Sequence, residues 1–182
     1  MTSGTLRVIG GAWKSRRLAI AAGSRPTSAR AREALFDILG DRVRGWRVLE
    51  LFAGSGAVAL EALSRGAASA AAVDRDPRAA AANARALGAP LEVIRGAAGA
   101  AVTRLAAAGR QFDLVFLDPP YGEADVSTAE IAPLAAPGGW IVWQTDAGGE
   151  PEAPPGWTAV RTARYGRNVF TFLQREPPRP PG

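Results

Sequence analysis

Apolar residues change their spacing along this chain at Trp46. Beyond it, short apolar runs alternate with helix-like segments. VLELF (48–52) precedes a helical pattern from about Ser55 to Ser64, and SAAAVD (69–74) one from Pro77 to Leu87. LEVI (91–94) precedes one from Ala98 to Ala108, FDLVFLD (112–118) one from Asp125 to Ala135, and GWIVWQ (139–144) ends the series. Four strand-to-helix units in succession predict a mostly parallel sheet covered on both faces, a Rossmann-like α/β architecture. Stretches such as RAAAANARAL support helix, because alanine loses no side-chain entropy there. Past the loop AGGEPEAPPG, WTAVRTARY and NVFTFLQR flank Gly166-Arg167 and predict a C-terminal antiparallel hairpin.

Upstream of Trp46, residues 5–20 (TLRVIGGAWKSRRLAI) predict two short strands around a Gly10-Gly11 turn. SRPTSARAREALFDILG then predicts a helix from Ser28 to Leu39, with Ala34, Leu35, Ile38 and Leu39 at helical spacing and Gly40 closing the pattern. The chain thus divides into a small basic hairpin and helix over 1–45, a sheet domain over 46–175, and a tail over 176–182 expected to be disordered. With 182 residues, 47% hydrophobic and 21% charged, the composition suits one globular domain with a packed core. No run of about 20 apolar residues and no apolar signal core stand out, so a cytoplasmic protein without membrane contact, and a monomer, is expected.

Charge changes that picture. Residues 1–47 carry ten Lys and Arg against Glu33, Asp37 and Asp41, whereas the remaining residues carry twelve against fourteen acids. The whole excess of the +5 net charge therefore sits at the front, which predicts a nucleic-acid contact surface. Its candidate phosphate contacts are Arg7, Lys14, Arg16, Arg17, Arg25, Arg30 and Arg32. Trp13 is expected in the core more than as a stacking platform. Cysteine and histidine are absent, which excludes disulfides, thiol nucleophiles, the usual zinc sites, imidazole bases and Ser-His-Asp triads. Chemistry must come from carboxylates, backbone groups or a cofactor, and no metal is expected.

Two strand ends offer that chemistry. Gly54-Ser55-Gly56 follows the first sheet strand, leaving backbone amides open at a helix start. The same letters satisfy a loose nicotinamide-nucleotide pattern with Ala59 as the third small residue. Asp74, ending the second strand, suits the two hydroxyls of a ribose. Glu50, ending the first, suits an ammonium group better than a pyrophosphate. The fourth strand ends in Asp118-Pro119-Pro120-Tyr121, where neither proline has an N–H. That corner presents acceptors without competing donors, stiffened by the rings, and is complementary to an amino group; Tyr121 offers a flat face for a base.

LELFAGSGAVALEALSRGA, VDRD and FLDPPYG together resemble the seven-stranded S-adenosylmethionine-dependent amino-methyltransferases. With RVIGGAWKSRRL and SRPTSARAREALFDIL added, the chain over roughly 6–175 resembles the bacterial 16S ribosomal RNA guanine-N2 methyltransferases of the small subunit. The resemblance implies S-adenosylmethionine as cofactor, with its methionine part against Glu50 and the loop Phe52, Ala53, Gly54, Ser55 and Gly56. It further implies ribose on Asp74 beside Arg75, adenine on the backbone of Ala97 and Ala98, and the target amine at Asp118 to Tyr121. The implied partner is 16S ribosomal RNA or a 30S assembly intermediate. Ala97 stands where the family usually has a polar residue, and Ala29 where its front motif usually carries Asp. A DNA or RNA adenine-N6 methyltransferase, a noncatalytic RNA-binding assembly factor and a nicotinamide dehydrogenase are the alternatives.

Overall fold

The computed structural model describes residues 6–20, 27–120, 125–146 and 151–175, so Arg25, Tyr121 and the tail over 176–182 lie outside the described residues. Seven strands form one sheet: β1 (Arg47–Leu51), β2 (Ser69–Asp74), β3 (Leu91–Arg95), β4 (Phe112–Leu117), β5 (Ala135–Asp146), β6 (Trp157–Tyr165) and β7 (Asn168–Arg175). Their order is β3-β2-β1-β4-β5-β7-β6. The first five run parallel, and β7 is antiparallel to both β5 and β6. The alternating pattern therefore folds as expected, and its strand order reverses between β1 and β4, where such sheets open a ligand crevice at the strand C-termini.

Because strand side chains alternate, each central strand feeds two cores. Leu49 and Leu51 of β1 and Val115 and Leu117 of β4 join α4 (Ala98–Ala107) and α5 (Thr128–Ile131) on one face. Val48, Leu114 and Phe116 join α1 (Ala29–Leu39) and α2 (Ala57–Ser64) on the other, with α3 (Arg78–Leu87) beside them. The front helix α1 lies in this core, where its Ala31, Leu35, Phe36 and Leu39 pack with Val142 of β5 and Phe170 and Phe172 of β7.

Two elements differ from the sequence reading. The helix expected over Asp125 to Ala135 is one α-turn, α5, closed by a Ser127–Glu130 capping box and followed by a 3-10 turn over Ala132–Leu134. Pro133 has no N–H to continue the ladder, and its ring clashes with the preceding turn. Among the described residues the N-terminal hairpin carries no extended strand, only an antiparallel bridge between Arg7 and Arg17. Val8 N donates to Arg16 O, Ser15 N to Val8 O and Leu18 N to Leu6 O, around a 3-10 turn over Gly11–Trp13.

That segment is fastened to the sheet domain by buried polar groups. Ile9 N and Gly10 N donate to the Glu61 carboxylate of α2 at 2.8 and 2.7 Å, and Trp13 N donates to Ser64 Oγ at 2.9 Å. Asn83 of α3 pairs with both the N–H and the C=O of Ala19. Leu6, Val8 and Leu18 fill the gap against Leu60, Ala84 and Leu87. Gly11 has φ +75°, and a Cβ there would fall 1.8 Å from Ser64 O, so only glycine permits so close an approach.

Candidate active site

The glycine loop is held from below by two acids. After β1 the backbone turns sharply: Phe52 has φ 56° and Gly54 φ 51°. A left-handed conformation at Phe52 costs energy that surrounding structure must supply, and such outliers cluster at functional sites. Asp74, at the end of β2, accepts from Gly54 N at 2.7 Å through Oδ2 and from Asp76 N at 2.8 Å through Oδ1. It lies where the sequence placed it, and it orders the loop itself. Gly56, with φ +70°, opens α2 over Ala80, whose Cβ would sit 3.1 Å from any Cβ at that position.

Glu50 differs from expectation. Its carboxylate was expected to meet the ligand, but it turns under the loop, 4% exposed, and accepts from Ala59 N at 2.8 Å and Val58 N at 3.3 Å. It caps α2. Burial pushes its carboxyl up to about 7, against the pull of the two amides and of Arg32, while nearby Asp118 pushes it up further. An acid on those amides has a chemical consequence: the helix start that would receive a pyrophosphate is already occupied by a carboxylate. This argues against the nicotinamide alternative.

The second half of the crevice is the β4 corner. Leu117 pairs with Leu51 on one side and Trp143 on the other, so Asp118 emerges between the glycine loop and Gln144 of β5. Both loops thus share one rim of the sheet. Asp118 Oδ2 accepts from Gln144 Nε2 at 2.9 Å and from Thr27 Oγ1 at 3.0 Å. The Thr27 hydroxyl also lies 3.3 Å from Gln144 Oε1, and Gln144 Nε2 lies 3.4 Å from Asn168 Oδ1. Gln144 is buried, Asp118 and Pro119 half-buried, and Pro120 exposed. Sequence reasoning missed Thr27 and Gln144. A lone amide within the apolar run of β5 was the available signal for Gln144, whereas Thr27 was indistinguishable from a helix-capping serine cluster.

The remaining candidates separate by burial. Ala97 caps the start of α4 in extended conformation and Ala98 is buried, both following Gly96, whose N donates to Asp74 O at the end of β2. Arg75 points to the rim and pairs with Asp125 at 3.3 Å, clamping the segment before α5. Arg7, Lys14, Arg16, Arg17 and Arg30 are exposed, although Arg7 and Arg16 each donate to a backbone carbonyl. Trp13 is half-buried against two core clusters.

Arg32 is the correction among the cations. It is fully buried, donates to Arg7 O and lies 3.8 Å from Glu61, so it cannot reach a phosphate. Burial pulls its guanidinium down, and Glu61 and Glu50 counter that. The helical spacing that put Ala31 and Leu35 in the core carried Arg32 in with them.

The crevice therefore offers the Asp74 and Asp118 carboxylates and a Pro119 carbonyl with no N–H beside it, while Ala53 N, Gly54 N and Gly56 N already donate within the protein. That acceptor set fits a ligand carrying ribose hydroxyls and cationic centres. Among proteins of known sequence, the Escherichia coli ribosomal RNA small subunit methyltransferase D is 35% identical over 194 residues, covering 96% of this chain and 92% of its own. Among solved structures, yhhF from Escherichia coli, assigned as a prospective methyltransferase, superposes with a TM-score of 0.82 at 30% identity, covering 95% of this chain and 99% of its own. The Thermus thermophilus 16S rRNA N2 G1207 methyltransferase, solved with AdoMet and guanosine, shares the fold at a TM-score of 0.70 and 20% identity, covering 95% of this chain and 50% of its own. The model of the family described as Conserved hypothetical protein 95 matches residues 6–174, and with it the fold, the relatives and the crevice agree that this chain belongs to that family.

Proposed function

We propose that this chain is an S-adenosylmethionine-dependent methyltransferase acting on the exocyclic N2 amine of a guanine in small-subunit ribosomal RNA, the guanine-966 type of target. The observation that carries the reading is the juxtaposition of the glycine loop after β1 with the Asp118-Pro119-Pro120 corner after β4 on adjacent strands of one rim. Support comes from the small subunit methyltransferase D relative, which aligns over 96% of the chain, and from the basic front, whose Ala19 is held by Asn83, a side chain that also donates to Ser55 O in the glycine loop. On this reading residues 1–45 face RNA and 46–175 carry the chemistry, in the cytoplasm, as a monomer on 16S ribosomal RNA or a 30S assembly intermediate.

S-adenosylmethionine would be held by the Phe52–Gly56 loop, Asp74, Ala97 and Ala98, and supplies an electrophilic methyl group. The chain's own residues do the rest. A guanine amine is a poor nucleophile because its lone pair is delocalised into the ring. Asp118 and the Pro119 carbonyl accept its two hydrogens, which favours a pyramidal nitrogen and aims the lone pair at the crevice. Thr27 and Gln144 fix the rotation of the Asp118 carboxylate, so its acceptor direction is set before RNA arrives. The proton released on N-methylation passes to Asp118 and from there to water. Base pairing hides this amine, so the target guanine must be unpaired or extruded.

The test has two parts. Labelled-methyl transfer to unmodified 16S ribosomal RNA, followed by base mapping, is expected to give N2-methylguanine. Asp118→Asn is expected to lower turnover by about 10²-fold or more with cofactor affinity retained. Methylated adenine, or near-normal turnover by a folded Asp118→Asn protein, overturns the reading.

A further inference from the structure

The charge count along the chain put every excess cation in the first quarter, but the fold brings a second set of arginines to the same place. The hairpin over 157–175 carries Arg161, Arg164, Arg167 and Arg175 and not one acid. Its turn, with Gly166 at φ +62°, lies against the start of α1, and together they enclose an open groove of about 490 Å³. The groove is lined by Ser28 and Arg30 from α1 and by Arg164, Tyr165, Arg167 and Asn168 from the hairpin, with no carboxylate in its wall. Arg30, Arg164 and Arg167 are exposed and form no ion pair among the described residues. Arg47, Arg78 and Arg110 are each paired with an acid, Asp113, Asp76 and Glu92, whereas Arg30, Arg164 and Arg167 converge on one groove whose wall holds none. Three unpaired guanidinium groups around one concavity attract a polyanion.

The groove is also tied to the catalytic corner. Asn168 in its wall is 3.4 Å from Gln144 Nε2, which donates to Asp118. Ser28 in the opposite wall follows Thr27, the other donor to Asp118. Tyr165 is half-buried, with its ring 6.2 Å from that of Phe170 in the core, so the turn bearing Arg164 and Arg167 is anchored and not free to swing. A strand whose base sits at Asp118 would therefore run its adjoining backbone through this groove.

We propose that the groove between the start of α1 and the β6–β7 turn binds the sugar-phosphate backbone of the RNA strand flanking the target nucleotide, through Arg30, Arg164 and Arg167. This rests on the function proposed above and adds a second contact surface to the N-terminal one. The partner is single-stranded RNA, since three cations around one groove follow one backbone and the base chemistry requires an unpaired nucleotide.

The experiment measures binding of unmodified 16S ribosomal RNA and of poly(U) to the full chain across a salt series, for wild type, Arg164→Gln/Arg167→Gln and the control Arg104→Gln on the exposed surface of α4. Removing two phosphate contacts to a single strand lowers the log–log salt slope by about 1.4, which is about a 25-fold loss of affinity near 0.1 M salt. Cofactor affinity and melting temperature of the double variant should match wild type, and Arg104→Gln should bind RNA normally. Unchanged affinity and slope in the double variant, while wild type still methylates 16S ribosomal RNA, overturn the groove and leave the proposed function standing. Wild type that binds cofactor but transfers no methyl either to unmodified 16S ribosomal RNA or to an unmethylated 30S assembly intermediate overturns the function, and the groove with it.

Discussion

Glu50 allows a sharp test, because its environment makes opposite demands on its charge. It is buried beneath the loop with two helix amides on its oxygens, and burial wins, raising its carboxyl from 4.5 to about 7. Between those values the folded chain holds a proton that the unfolded chain has given up. This group's contribution to stability is therefore fully present below about pH 4.5 and is lost as pH rises through about 7. Linkage over about pH 5.5 to about pH 8 gives a loss of about 2 kcal/mol, which in a chain of this size is about 4 to 8 °C of melting temperature. Glu50→Gln removes the titration. Its absolute stability should be lower, because an amide NH₂ faces the same helix donors, but its melting curve should be flatter with pH by that amount. Calorimetric melts of both proteins across the range decide the matter. Parallel pH profiles for wild type and Glu50→Gln would refute the reasoning, since every other titrating group is common to both.

Two further outcomes follow from the docking of the front segment. Arg32→Ala leaves Glu61 buried without one of its cationic partners and should cost about 3 kcal/mol in denaturant titration, with no change in the salt slope of RNA binding; an altered slope at unchanged stability would return Arg32 to the RNA surface. Gly11→Ala places a methyl carbon 1.8 Å from Ser64 O and should release residues 6–20 from α2, seen as faster proteolytic cleavage there and weaker RNA binding. An unaltered cleavage pattern would contradict this close approach.

The fold was legible because its signals are local. Alternation of apolar runs with alanine-rich segments marks each strand and helix from within a dozen or so residues; β1 to β4, β6 and β7 lie on the runs read as strands, whereas β5 already begins at Ala135, ahead of the run GWIVWQ. The misreadings also have local causes. Pro133 cut α5 to a single turn, and the Gly10-Gly11 region formed a 3-10 turn because its amides go to Glu61 and Ser64 instead of to a facing strand. That Gly54, Gly56, Asp74 and Asp118 lie on one rim of the sheet was legible because Asp74 ends a strand and the others stand in the turns that follow one. The destination of the Glu50 carboxylate was not, since a strand's period leaves open whether the face it shows covers a ligand or a helix.

By itself the sequence determined the order of elements, the backbone freedom of the glycine loop and the donor-free character of the Asp118 corner, all properties of a residue and its immediate neighbours. Only tertiary structure decided which groups meet there. Thr27 reaches Asp118 across 91 positions of chain, Gln144 across 26, and the hairpin arginines come to stand beside Arg30 from the far end of the molecule. No propensity or spacing encodes such pairings, because they are set by which faces of the sheet the helices must cover to bury their apolar stripes.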